Sequence, residues 1–273
     1  MNRRDLLKSL AIAVPGAAYA QQMFHAAVLP TMVFQTTHTT GFAPSFTKTG
    51  ATLYWKWPDG TYTSSNAPTK TLAAGTKRVE VQSRDGFQLV TVFNSPSMHF
   101  SGTLPSFAAC TKLVYVYCYS NSFSGTLPSF ATCTKLAYFS CYSNSFSGTL
   151  PPFAACTSLV TFYCHYNGFS GTLPSFAACT ALVNFACLSN QFSDVVAGSF
   201  ATQKSMSAAN FSSNALPAAA VNQVLADFVV SLGISGRVAC TVNLAGGTNA
   251  APTGQGLTDK ATLVAAGWTV TTT

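Results

Sequence analysis

The chain has 273 residues, 48% hydrophobic but only 8% charged, with 14 Lys and Arg against 7 Asp and Glu for a formal net charge of +7. That content supplies an ample core, while charge so far below the usual quarter or so of residues leaves a surface of Ser, Thr, Asn and Tyr, more at home outside a cell than in cytosol. The scatter of the basic excess argues against nucleic acid as a partner: Arg3, Arg4 and Lys8 sit together at the start, the rest are spread with no cluster beyond Lys77 and Arg78, and counterion-release binding needs a focused patch.

Residues 1–20, MNRRDLLKSLAIAVPGAAYA, combine a basic start, a short apolar run and small residues at Ala18 and Ala20. That is a signal-peptide profile, too short to span a membrane, and it predicts an exported protein, periplasmic or at the cell surface. NRRDLLK resembles the twin-arginine export motif, with Leu6 where Phe is common; a general secretory signal is the other reading. On the twin-arginine reading the chain folds in a reducing cytoplasm before export.

Residues 21–45 carry no strong period and read as a linker with room for one strand at its end. From 46 to 93 come ATLYWKWPDG, TYTSSNAPTKTL, TKRVEVQSRDG and QLVTVF, alternating or aromatic runs broken by turn residues, which predict a small antiparallel β-sandwich module. WKWPDGTYTSSNAPTKTL is similar to the first half of PKD-like modules of bacterial surface proteins. Asp59, followed by Gly60, reads as a turn residue in preference to a calcium ligand or catalytic acid.

Residues 94–216 are governed by repetition. FSGTLPSFAACTKLVYVYCYSN returns as FSGTLPSFATCTKLAYFSCYSN, FSGTLPPFAACTSLVTFYCHYN and FSGTLPSFAACTALVNFACLSN, with a period of 23 residues. Such a period calls for a solenoid. Before the closing Asn, apolar positions carry strand spacing in each copy: Leu113, Val116 and Cys118, then Leu136, Phe139 and Cys141, Leu159, Phe162 and Cys164, and Leu182, Phe185 and Cys187. One such strand cannot bury its apolar side, so copies must stack as a parallel ladder at about 4.8 Å per strand. Asn121, Asn144, Asn167 and Asn190, with Asn214 closing a degenerate fifth copy, are expected to form a structural Asn ladder, each side chain bonding backbone that has left the strand. A degenerate first coil before Pro105 carries FSGTLP but has Met98 in place of the Asn.

LxxFxCxxNxFSGTLPxF resembles the leucine-rich repeat, and GTLP after the Asn resembles the LxGxIP version of plant receptor ectodomains and polygalacturonase inhibitors. Cys or Phe stands where Leu is usual, which alters the core filling. The resemblance implies a family mostly of binding proteins, although fold alone does not fix function. The expected fold class is mainly β with α/β caps: a leucine-rich-repeat solenoid preceded by the antiparallel module.

Eight of the nine cysteines follow the repeat, at alternating spacings of 8 and 15. Equivalent Cys residues one strand apart lie further from each other than the ~3.8 Å between β-carbons that a disulfide wants, so buried thiols acting as small hydrophobes are the leading reading, with disulfides inside a coil as the other. No CxxC or Cys/His cluster predicts a metal, and no cofactor is expected. Residues 217–273 open with AAAVNQVLADFVVSL, where Val221, Val224, Leu225, Phe228 and Val229 recur at helical spacing. CTVNL, a Gly/Asn/Pro loop, a second helical stretch and WTVTTT follow, predicting helix–strand units that cap the solenoid.

In a leucine-rich repeat, strand positions three, five and seven face the concave side. Here they place Tyr115, Tyr117, Tyr119, Tyr138, Tyr142, Tyr163, His165 and Asn184 on one surface, beside Ser140, Thr161, Ala186 and Leu188. Tyr suits protein interfaces and sugar stacking alike, and it also stabilises sheets with no ligand at all; both readings stand. Between Asp85 and Asp194 there is not one carboxylate, so this face lacks the paired acids of a glycosidase, and no phosphate loop or GxSxG elbow occurs. The sequence predicts a non-enzymatic recognition or adhesion protein for a protein or glycan, or else a structural spacer or assembly subunit of a cell surface or phage fibre with no dedicated ligand, with monomer and self-assembly both open.

Overall fold

The structure, a computed structural model, describes residues 30–37, 39, 45–48, 53–83 and 86–273; the predicted signal peptide and most of the predicted linker lie outside them. Each 23-residue repeat supplies two short strands. The first set is β8 (Tyr115–Tyr117), β10 (Tyr138–Ser140), β12 (Thr161–Tyr163), β14 (Asn184–Ala186) and β16 (Ala208–Asn210), and the second is β9 (Ser122–Gly125), β11 (Ser145–Gly148), β13 (Gly168–Leu173) and β15 (Gln191–Val195). Each set pairs in parallel, coil on coil, so Phe139 lies level with Val116 on one side and Phe162 on the other. The result is a β-solenoid of about five coils, as the repeat demands.

Its interior is a set of columns. The Leu, Val/Phe and Cys positions predicted to point inward are all buried, as are Phe107, Phe130, Phe153 and Phe176 from the SFAAC return and Phe123, Phe146, Phe169 and Phe192 beside it. Identical residues stack along the axis, Phe130 on Phe153 at 5.8 Å and Phe139 on Phe162 at 5.5 Å, while neighbouring columns meet edge to face, Phe153 against Phe162 at 4.9 Å and 72°. Both arrangements are favoured by the ring quadrupole. All nine cysteines lie buried as free thiols. Burial, with a small contribution from neighbouring thiols, pushes Cys110 and Cys156 up to about 12, the behaviour of inert core residues.

The Asn ladder forms, and its reach exceeds one coil. Asn144 Nδ2 donates to Cys118 O at 3.0 Å in the preceding coil and to Cys141 O at 3.0 Å in its own, while Oδ1 accepts the Phe123 N–H at 3.0 Å. Asn167, Asn190 and Asn214 repeat the pattern. The left-handed residue at this corner is the one before each Asn: Ser120, Ser143, Tyr166, Ser189 and Ser213 hold φ of +53 to +54°. The Gly of FSGTLP is required for a second reason. At Gly148, φ is +74° and an added Cβ would sit 3.0 Å from Thr126 Cγ2 of the coil before.

The antiparallel strands expected over 46–93 are present, but they share their sheets with the solenoid. They are β2 (Ser45–Lys48), β3 (Tyr54–Lys56), β4 (Tyr62–Ser64), β5 (Lys77–Gln82) and β6 (Val90–Asn94), followed by β7 (Phe100–Gly102) in the degenerate first coil. β6 pairs antiparallel with β2 on one side and parallel with β8 on the other, so the two sheets each reach nine strands. Residues 31–36, read from sequence as linker, form β1 (Thr31–Thr36), which joins β5 to β7 by antiparallel pairing on both edges. The reason lies in the core: Phe34 packs on Phe100 at 4.9 Å, Phe46 on Phe93 at 4.9 Å, and Phe93 on Phe107 at 5.3 Å, one continuous run into the first Phe column. Asp59 is a turn residue, its Oδ1 accepting the Thr61 N–H and hydroxyl and its Oδ2 lying 2.8 Å from Lys70 Nζ.

After Asn214, α1 (Ala218–Leu232), β17 (Thr241–Asn243), α2 (Gln255–Ala265) and β18 (Thr269–Thr271) form two helix–strand units, and β17 and β18 extend the first sheet in parallel beyond β16. α1 buries Val221, Val224, Leu225 and Phe228 of the predicted apolar stripe, while Val229 is half-buried at its edge, packed against the core. Its buried Asp227 accepts the Gly198 and Phe200 N–H groups at 2.8 and 3.1 Å, tying the helix to the last full coil.

Candidate functional site

Strand alternation that sends Val116, Phe139, Phe162 and Phe185 inward sends their neighbours outward. Tyr115, Tyr117, Tyr119, Tyr138, Tyr142, Tyr163, His165 and Asn184 are all half-buried on the outer side of the first sheet. The structure therefore brings the predicted residues together on β8, β10, β12 and β14 and the segments that follow them.

They form columns along the ladder. Tyr119 stacks on Tyr142 at 4.6 Å with the rings 7° apart, and Tyr142 on His165 at 4.5 Å and 6°. Tyr115 stacks on Tyr138 at 5.0 Å and 15°. Partial burial raises the Tyr117 phenol, with Tyr115 and Tyr138 adding to it, and likewise the Tyr142 phenol beside Tyr119. Both phenols stay protonated at physiological pH, and the rings of the band present apolar faces with hydroxyl tips.

A third column, through strand position five, is interrupted. Tyr117 and Tyr163 flank Ser140 in register, and over Ser140 opens a cleft of ≈ 360 Å³ lined by Tyr117, Tyr119, Tyr138, Tyr142, Thr161 and Tyr163. Sequence reasoning placed Ser140 on this face without giving it a role. The signal available was a small residue between two tyrosines of the same column, which ends on a second small residue at Ala186.

His165 closes the Tyr119–Tyr142 column. Its Nδ1 is buried without a hydrogen-bond partner, and burial holds the imidazole below its ordinary value of 6.5. Because the folded state resists the proton that the unfolded state takes up, stability should rise with pH through the window just below 6.5 and gain nothing more from this group above it. Titrating denaturant midpoints of the wild type and His165→Tyr should show that slope in the wild type and its loss in the variant; equal slopes would contradict the assignment. Among the described residues no group of three or more His, Cys, Asp or Glu is placed to hold a metal ion, and no helix is long and apolar enough to cross a membrane.

Fold and site together define a repeat β-solenoid of 23-residue coils with a tyrosine-lined sheet face. No protein-family model matches the chain, and no curated protein does. Solved structures similar to it include the plant peptide hormone receptor RGFR1 in complex with RGF2, 22% identical with a TM-score of 0.46 over 54% of this chain and 23% of that one. The BIR2 ectodomain from Arabidopsis thaliana is 27% identical with a TM-score of 0.40 over 43% and 64%. A plant ice-binding protein is 20% identical with a TM-score of 0.44 over 56% and 48%. The chain thus spans less than two thirds of each of these structures, and the fold assignment rests on its own coil geometry.

Proposed function

We propose that this is an exported recognition protein, periplasmic or at the cell surface, of leucine-rich-repeat type, which binds a protein or glycan through the tyrosine face of its first sheet. The observation that carries the reading is the stacked, half-buried band from Tyr115 to His165 around an open cleft whose lining holds no charged residue. Rigid aromatic platforms with polar tips give contact area at little entropic cost, which is why Tyr concentrates at recognition surfaces. The absence of any carboxylate between Asp85 and Asp194 supports binding over hydrolysis on this face.

The test is a combined glycan and surface-protein array, probed with the wild type and with Tyr117→Ala/Tyr142→Ala/Tyr163→Ala, each shown to be folded by circular dichroism. Truncating central aromatic contacts typically costs more than about 1.4 kcal/mol, a factor of roughly ten in affinity. A ligand bound by the wild type and lost at least tenfold by the variant is the expected result. Equal binding by both would remove function from this face, and binding by neither would favour an assembly subunit, visible as concentration-dependent filaments in light scattering.

A further inference from the structure

The cleft over Ser140 has a shape that narrows its ligand. In the neighbouring column the rings follow one another at 4.6 and 4.5 Å, one per ladder step. A ring missing at Ser140 leaves two such steps, about 9.5 Å, between the backbones carrying Tyr117 and Tyr163. Ser140 itself is only 5% exposed, recessed as the floor between Tyr138 and Tyr142 on its own strand segment and Tyr117 and Tyr163 on the adjacent ones. The space accepts one six-membered ring stacked on Tyr117, about 4.5–5 Å from its plane, one step of the ladder.

Ring orientation decides the chemistry. Tyr138 and Tyr142 belong to columns stacked along the ladder, so they turn edges toward the gap that lies between them. Tyr117 lies 28° from Tyr115 and shares that stacking direction, which aims its face into the gap, whereas Tyr163 is turned 70° from His165 and offers no parallel face. An aromatic ring is negative on its face and positive at its edge. A cation here would therefore meet one favourable face among unfavourable edges, unlike an aromatic cage. An anion would find no Lys, Arg or His in the lining. A neutral pyranose matches both parts: its axial C–H groups lie on the Tyr117 face, and its equatorial oxygens point outward to the ring edges and to the hydroxyls of Tyr138, Tyr142 and Ser140.

We propose that the cleft over Ser140 binds one neutral pyranose residue of a glycan, stacked on Tyr117. This rests on the reading of the tyrosine face as the binding surface and names the ligand class for it. It makes Ser140 the residue that determines specificity, because its small side chain creates the site.

The test uses the full chain in isothermal titration against maltotriose, cellotriose, mannotriose and triacetylchitotriose, with choline and an uncharged Phe-containing hexapeptide as competing chemistries. Ser140→Tyr restores the residue that both adjacent coils carry at this position, so it fills the cleft while suiting the fold. At least one trisaccharide should bind the wild type, and Ser140→Tyr and Tyr117→Ala should each weaken it at least tenfold, with circular dichroism unchanged. Failure of all four trisaccharides, or binding of choline or the hexapeptide in their place, would overturn the proposal. Binding that survives Ser140→Tyr but is lost in the triple tyrosine variant would also overturn it, while leaving the tyrosine face as the binding surface. Array binding by neither the wild type nor the variants would remove both.

Discussion

Phe162→Ala should destabilise the protein by about 3–5 kcal/mol, the usual cost of emptying a well-packed aromatic site. Phe162 is fully buried at the centre of the solenoid, 5.5 Å from Phe139, 5.6 Å from Phe185, and 4.9 and 5.0 Å from Phe153 and Phe176. The stacked strands repeat at a fixed spacing, so coils above and below have little freedom to collapse into the void. A stacked-repeat protein is coupled only through nearest neighbours, so the same lesion should also weaken communication between the halves. Trp55 lies in β3 and Trp57 just after it, and Trp268 lies at the C-terminal end, all buried. In guanidinium titrations, signals from the two ends should coincide in the wild type and separate in the variant. A loss under 1 kcal/mol with coincident curves would show that the column is not what couples the coils.

Asn167→Ala should cost about 3 kcal/mol, far beyond the ±0.5 kcal/mol of an ordinary surface change. Asn167 Nδ2 donates to Cys141 O at 3.1 Å, Cys164 O at 3.1 Å and His165 O at 3.3 Å, and Oδ1 accepts the Phe146 N–H at 3.0 Å. Each bond contributes only about 1 kcal/mol net, and the variant also leaves the Phe146 N–H without its acceptor at about 1–3 kcal/mol, whereas Cys141 O, Cys164 O and His165 O keep the Asn144 amide, the Asn190 amide and the Ser143 N–H. Asn184→Ala is the internal control: the same residue type, on the tyrosine face and outside the ladder, should shift the denaturation midpoint hardly at all. A comparable loss at both positions would mean that the ladder bonds carry no special weight.

What the sequence determined by itself is the solenoid. A 23-residue period with strand-spaced Leu, Phe and Cys admits one solution, because no copy can bury its apolar side alone and each identical copy offers the same complementary surface. The inward columns, the Asn at each corner, the outward tyrosines and the α1 stripe followed from patterns within some twenty residues. The tertiary structure alone decided how the ends and the site are completed. β1 finds its place through contacts far along the chain, including the Thr36 hydroxyl on Met98 O across 62 positions, and no local pattern in TMVFQT announces which strands it will join. The left-handed residue before each Asn comes from the backbone bonds that the Asn side chain must reach. The role of Ser140 depends on which rings stand beside it two coils apart and how they are turned, and ring orientation is set by packing between coils, which a one-dimensional pattern does not contain.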